Sequence, residues 1–169
     1  MKSVLGIIDW VTKWSGRVAS WLILVLVLTL SYEVILRYVF NAPTIWSFDT
    51  STFLLAAIIT FAIPYEILNK GHIRVDFLYR KFSQKQALMV DTVFGLLFLI
   101  PVAAVLEYFA VKGAWHAWNI GETASQSYWG PPLFPIRAAV AFGILLLLLE
   151  GVADFIKNLF QVLKEGRND

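Results

Sequence analysis

The chain of 169 residues contains no cysteine, which excludes disulfides, thiolate nucleophiles and cysteine-ligated metals. It is also poor in charge. Only 15% of residues are charged, against roughly 25% in an ordinary soluble domain. The formal net charge of +2 gives no electrostatic footprint for nucleic acid. Histidine occurs only at His72 and His116, and there are no low-complexity runs. No nucleophile–base arrangement or metal-ligand cluster stands out.

What the chain has in quantity is apolar side chain. Hydrophobic residues make up 59% of it and its mean hydropathy is +0.69. A single soluble core would not bury that much, so a lipid solvent is the simpler solution. Four apolar segments stand out, roughly residues 14–36, 50–68, 88–111 and 133–155. Each approaches or exceeds the ~20 residues that a helix needs to cross ~30 Å of hydrocarbon. The expected fold is an all-α membrane protein with four transmembrane helices in one membrane domain, 1–169. Thr52, Thr60 and Pro64 dilute or kink the second span, but threonine can bond its own helix backbone. The first segment is longer than the apolar core of a signal peptide and no A-x-A site follows it, so it reads as a retained span.

Lysine and arginine set the direction. Lys2, Lys13 and Arg17 precede or open the first span. Lys70, Arg74, Arg80, Lys81 and Lys85 separate spans two and three, and Lys157, Lys164 and Arg167 follow span four. Only Arg37, Lys112 and Arg137 lie on the other side. The positive-inside rule then places both termini and the middle loop in the cytoplasm. Trp10 and Trp14 fall at the inner interface, and Trp46, Trp115, Trp118 and Trp129 at the outer one, where indole rings are favoured. The Lys70–Lys85 loop and the Val4–Val11 segment each read either as a short interfacial amphipathic helix or as solvated chain.

Polar residues near hydrocarbon each require a partner or an exit to water. Glu33 and Arg37 share a helix face at i, i+4, either as a mutual ion pair or with one reaching another subunit's helix. Asp49 opens the second span, where a helix N-terminus favours a carboxylate. Glu66 and Asp91 sit at inner span ends, either snorkelling to the interface or pairing with loop cations. Glu150 and Asp154 approach the inner edge of the fourth span. Glu107 is expected about one turn inside the outer edge, so no ladder of ionisable groups crosses the midplane. His72 and His116 fall on opposite sides, roughly 30 Å apart, and cannot share one haem. The outer loop from Ala114 to Pro132 is rich in Trp, Gly, Ser and Thr, and reads either as a docking surface or as an interfacial cap.

Three stretches carry a family resemblance. They are Tyr32-Glu33-Val34-Ile35-Leu36-Arg37-Tyr38-Val39-Phe40-Asn41-Ala42-Pro43-Thr44-Ile45-Trp46, then Gly71-His72-Ile73-Arg74-Val75-Asp76, and finally Gly121-Glu122-Thr123 followed by Trp129-Gly130-Pro131-Pro132-Leu133-Phe134-Pro135-Ile136. In order and spacing they resemble the small membrane subunit of tripartite ATP-independent periplasmic (TRAP) transporters, the DctQ-like family, over essentially the whole chain. One departure is Ser47-Phe48-Asp49, where many members carry a Glu-Glu pair after the tryptophan, so any role of that pair rests on Asp49 alone.

The resemblance implies a non-catalytic scaffold subunit without cofactors, in a bacterial inner membrane. Its partners would be a large multi-span elevator-type subunit, a periplasmic binding protein that delivers an organic acid, and membrane lipids. The driving force would be an ion gradient, usually sodium. Residues expected to shape subunit contacts or the fold are Glu33, Arg37, Trp46, Asp49, His72, Arg74, Asp76, Glu122, Trp129 and Arg137. A self-contained homo-oligomeric channel or carrier is the alternative, and a membrane enzyme or redox subunit a third class.

Overall fold

The computed structural model describes residues 2–69, 84–125 and 127–165. Five α-helices account for nearly all of them: α1 (Lys2–Tyr38), α2 (Ser47–Leu68), α3 (Gln84–Phe94), α4 (Ile100–Ile120) and α5 (Phe134–Glu165). A π-helical turn, Gly95–Leu99, joins α3 to α4 without a break. Four stretches are long and apolar enough to cross a membrane: Leu5–Tyr38, Ser47–Leu68, Thr92–Ile120 and Phe134–Gln161. The chain is therefore a multi-pass helical membrane protein.

The helices outrun the expected spans. At 1.5 Å per residue the 37-residue α1 is roughly 55 Å long, well beyond ~30 Å of hydrocarbon. Val4–Val11 is thus the beginning of α1 and not a separate interfacial helix. The fourth helix continues through Lys112 to Ile120. The loop expected at residues 70–83, with His72, Arg74 and Asp76, lies outside the described residues. Pro101 explains the π turn: it has no N–H for the carbonyl of Leu97, and the turn before it widens so that Ile100 N–H bonds Gly95 O.

The helices pack as a row. The order is α1, α2, α5, α4, with α1 also touching α5 and α3 resting on α5. The end bearing the first turns of α1 and the last of α5 will be called the terminal end. The opposite end carries the α1–α2 and α4–α5 loops.

Packing follows lipid rules. Large apolar residues such as Leu28, Leu97 and Phe109 face outward, whereas the buried apolar set is mostly alanine: Ala19, Ala57, Ala103, Ala114, Ala117, Ala141 and Ala153. Association in a bilayer gains little from sequestering leucine and much from close backbone approach, which small residues permit. The closest approach is at α2–α5. Pro64, fully buried inside α2, offers no N–H to the carbonyl of Thr60. Gly143 of α5 fits against that spot, where an added Cβ would fall 2.8 Å from Thr60 Cβ and 2.9 Å from Thr60 O. Gly16 likewise faces the Tyr65 ring, where an added Cβ would fall 2.5 Å from its Cγ.

Gly143→Val should force α5 away from α2, because one of the opposing atoms is backbone and cannot rotate aside. The expected cost is about 1–3 kcal/mol, read as a lower melting temperature of the detergent-purified protein. Gly113→Ala, with no atom within 4 Å of the added carbon, should leave that temperature unchanged.

Candidate functional site

Polar contacts gather at the two ends of the bundle. At the loop end, Glu33 is 7% exposed and serves as a hub. Its Oε1 accepts from Arg37 Nη2 at 2.6 Å and Nε at 3.1 Å. Its Oε2 accepts from the Thr44 backbone N–H at 3.1 Å and from the Thr44 hydroxyl. The carboxylate therefore joins the last turn of α1 to the incoming α1–α2 loop. Between them Asn41 takes a positive φ of 50°, a conformation that asparagine tolerates better than most residues. Tyr32 and Trp46 stack with centroids 6.2 Å apart, adding an aromatic tie across the same loop. The mutual ion pair expected of Glu33 and Arg37 forms, and Thr44 was the partner that sequence spacing did not reveal.

Asp49 differs from its expected role. No side chain caps α2, whose cap residue is Trp46. Asp49 lies in the first turn, almost fully buried, and accepts a hydrogen bond from the Ser127 hydroxyl. Ser127 Oγ in turn accepts from Trp129 N–H at 3.2 Å. The carboxylate thus anchors the α4–α5 loop, while its charge still favours the helix dipole.

The α4–α5 loop is ordered by local chemistry. Gly121 ends α4 at φ 61°, with Gly121 N–H to Trp118 O and Glu122 N–H to Ala117 O, a Schellman arrangement. Thr123 and Pro132 then form an isolated antiparallel bridge, flanked by Ala124 N–H to Pro131 O and Leu133 N–H to Glu122 O, both 2.9 Å. Arg137 of α5 closes the unit. Its Nη2 donates to Glu122 Oε1 at 2.6 Å and its Nη1 to Gly113 O at 3.2 Å. Trp129 and Tyr128 are exposed at the tip, and Trp118 packs on Phe134 with centroids 4.6 Å apart.

The terminal end holds the cluster that sequence reasoning missed. Glu150 of α5 is fully buried, and its Oε2 accepts from the Thr12 hydroxyl of α1 at 3.0 Å. Lys157 Nζ lies 3.4 Å from Glu150 Oε1 and 2.6 Å from Asp9 Oδ1. Ser15, one turn beyond Thr12, donates to Phe61 O of α2 at 3.1 Å. Asn158 donates to Asp154 at 2.8 Å. One signal was available: Asp9, Thr12 and Ser15 recur every three residues on one face of α1, and Lys157 lies seven residues after Glu150. Nothing in the spacing says that the two faces meet. Glu66 is exposed at this end of α2.

Among the described residues no three His, Cys, Asp or Glu side chains are placed to share a metal ion. A hollow between α4 and α5, lined by Phe109, Ala110, Gly113, Ile136, Arg137 and Val140, encloses about 250 Å³. Small-molecule sites usually run from ~300 to 1,000 Å³, and the one charged group here is already engaged by Glu122.

A row of four apolar spans tied by polar contacts at both ends defines an integral membrane protein suited to assembly with other membrane components. Residues 24–161 match the family described as tripartite ATP-independent periplasmic transporters, DctQ component. The chain belongs to that family: it is a TRAP transporter small membrane subunit, a transporter component of a kind not known for enzymatic activity. No curated protein and no solved structure matches it significantly.

Lys157→Ala should destabilise the bundle more than Glu150→Leu does. The first leaves a buried carboxylate with Thr12 as its only donor, whereas the second replaces the charge with an apolar group. Losing one partner of a buried pair costs on the order of 3 kcal/mol, whereas apolar replacement is often near neutral. Thermal unfolding of the two variants in detergent gives the ranking.

Proposed function

We propose that this chain is a non-catalytic scaffold, a single membrane unit that supports the large elevator-type membrane subunit of a TRAP transporter in a bacterial inner membrane. A periplasmic binding protein would deliver an organic acid to the assembled complex. An ion gradient, most simply sodium, would drive uptake without ATP. The observation that carries this reading is where the chain places its polar side chains. They cross-link helices and loops at the two ends of the bundle.

The charge distribution supports a cytoplasmic location for both termini, since eleven of the 14 lysines and arginines fall at the terminal end or in the 70–85 segment. Glu33, Arg37, Trp46 and Asp49 then hold the periplasmic ends of the first two spans in a fixed shape. Glu122, Trp129 and Arg137 shape the periplasmic loop, and His72, Arg74 and Asp76 the cytoplasmic one. A rigid periplasmic rim of this kind suits a component that must stay still while another moves.

The test is a mild-detergent pull-down of the tagged chain from its native membranes, followed by mass spectrometry. A large multi-span protein in roughly equal amount is expected. Recovery of this chain alone, as a stable homo-oligomer, would favour a self-contained channel instead. Arg37→Ala is expected to reduce recovery of the large subunit or uptake by the complex, because Glu33 loses its cation where solvation is poor. Wild-type recovery together with wild-type uptake would refute that role for Arg37.

A further inference from the structure

The outward face of α1 near the terminal end carries a pattern that the scaffold role does not use. Trp10, Trp14, Arg17 and Trp21 recur at steps of three and four, with Lys13 one turn before Arg17 beside them, and all five are exposed. Thr12, Ser15 and Ala19, on the opposite face, are buried against the rest of the bundle. The Arg17 guanidinium lies over the Trp14 ring, 5.6 Å from its centroid, and Trp10 meets Trp14 edge-on at 6.1 Å. Cations and indoles therefore form one continuous patch.

Neither cation has an anion of its own. Arg37, Arg137 and Lys157 each meet a carboxylate, whereas Lys13 and Arg17 form no ion pair among the described residues. Asp9 stands one turn before Lys13, at the i, i+4 spacing that ordinarily pairs such residues. Its Oδ1 is instead 2.6 Å from Lys157 Nζ of α5. Folding thus turns that carboxylate inward and leaves two positive charges, one turn apart, facing out.

The charge pattern of α1 sets the depth of this patch. Residues 18–32 contain no charged side chain, and Arg17 and Glu33 bound them roughly 24 Å apart along the helix. Hydrocarbon ~30 Å thick centred on this run ends just beyond Arg17. The headgroup layer, which brings the bilayer to ~40–45 Å, then covers Trp14 and Lys13. Helical side chains lean toward the N-terminus, which carries the Arg17 guanidinium toward that layer. In the other direction the face continues as Leu24 and Leu28, both exposed. An occupant with a negative head and a hydrocarbon tail matches both parts. Another helix matches less well: this chain's own helix contacts use alanine and glycine, such as Ala19 and Gly16, whereas three tryptophans hold a second backbone away.

We propose that this face of α1 binds an anionic phospholipid of the leaflet at the terminal end. Lys13 and Arg17 take its phosphate, Trp10 and Trp14 flank the headgroup, and an acyl chain lies along Trp21, Leu24 and Leu28. Guanidinium and ammonium groups bind phosphate oxygens strongly, and basic residues beside a span favour lipids of net negative charge. The site is independent of the protein with which the chain assembles.

The full chain, purified in mild detergent and stripped of lipid, is titrated with dioleoyl phosphatidylglycerol or dioleoyl phosphatidylcholine, and lipid adducts are followed by native mass spectrometry. The first phosphatidylglycerol is expected to bind at least about tenfold tighter than the first phosphatidylcholine, and the double substitution Lys13→Gln, Arg17→Gln should abolish that preference. Lys112→Gln, which removes an exposed cation toward the loop end of α4, should preserve it. Equal affinity of the unmodified chain for the two lipids, or an equal loss in Lys112→Gln, would overturn the proposal. A second measurement leaves both cations in place. Because the sequence has no cysteine, Leu24→Cys provides a unique thiol on the same face. Labelled with a benzophenone maleimide in native membranes and irradiated, it should yield mainly adducts of anionic phospholipid. Adducts mainly to a protein span would assign the face to a protein partner and overturn the lipid site.

Discussion

Hydrocarbon neither gives nor takes a hydrogen bond, and most features of this chain follow from that constraint. Backbone groups are satisfied within long helices, the hydroxyls of Thr29 and Thr60 turn back onto carbonyls of their own helices, and the ion pairs gather at the bundle ends. The interior is inverted relative to a soluble protein. Its fully buried side chains with the largest volumes are Glu150, Thr12 and Pro64, while leucine and phenylalanine cover the outside. Alanine and glycine set the helix spacing, and a few polar contacts decide which helices meet.

Those contacts differ between the ends. At the terminal end, Glu150, Thr12, Lys157 and Asp9 join α1 to α5 across 138 or more residues of sequence, and Ser15 brings in α2. At the loop end the ties run from a helix to a loop: Glu33 to Thr44, Asp49 to Ser127, Arg137 to Glu122. One end therefore clamps helices together and the other holds loops in shape. Between them the row of helices presents broad apolar faces.

Much of this was legible in the sequence because lipid burial leaves long apolar runs. The four spans could be read directly, and the i, i+4 spacing put Glu33 and Arg37 on one face, their mutual pairing being one of two readings. Helix ends were less legible: Lys112 looks like an exit from the membrane, yet α4 runs on to Ile120. Asp49 was assigned by its position at a helix start, but Ser127 lies 78 residues away and only the folded loop brings it near. The Glu150 cluster was invisible for the same reason. The π turn had a cue in Pro101, although proline alone does not distinguish a kink from a widened turn.

The central claim is that this chain supports transport without performing it. Reconstitution of the purified chain alone into liposomes, beside the co-purified complex with its periplasmic binding protein, tests it most directly. With an imposed sodium gradient and radiolabelled organic acids, the chain alone should be silent to both ion and solute while the complex accumulates solute. Ion or solute flux through the chain alone, above that of empty liposomes, would contradict the account.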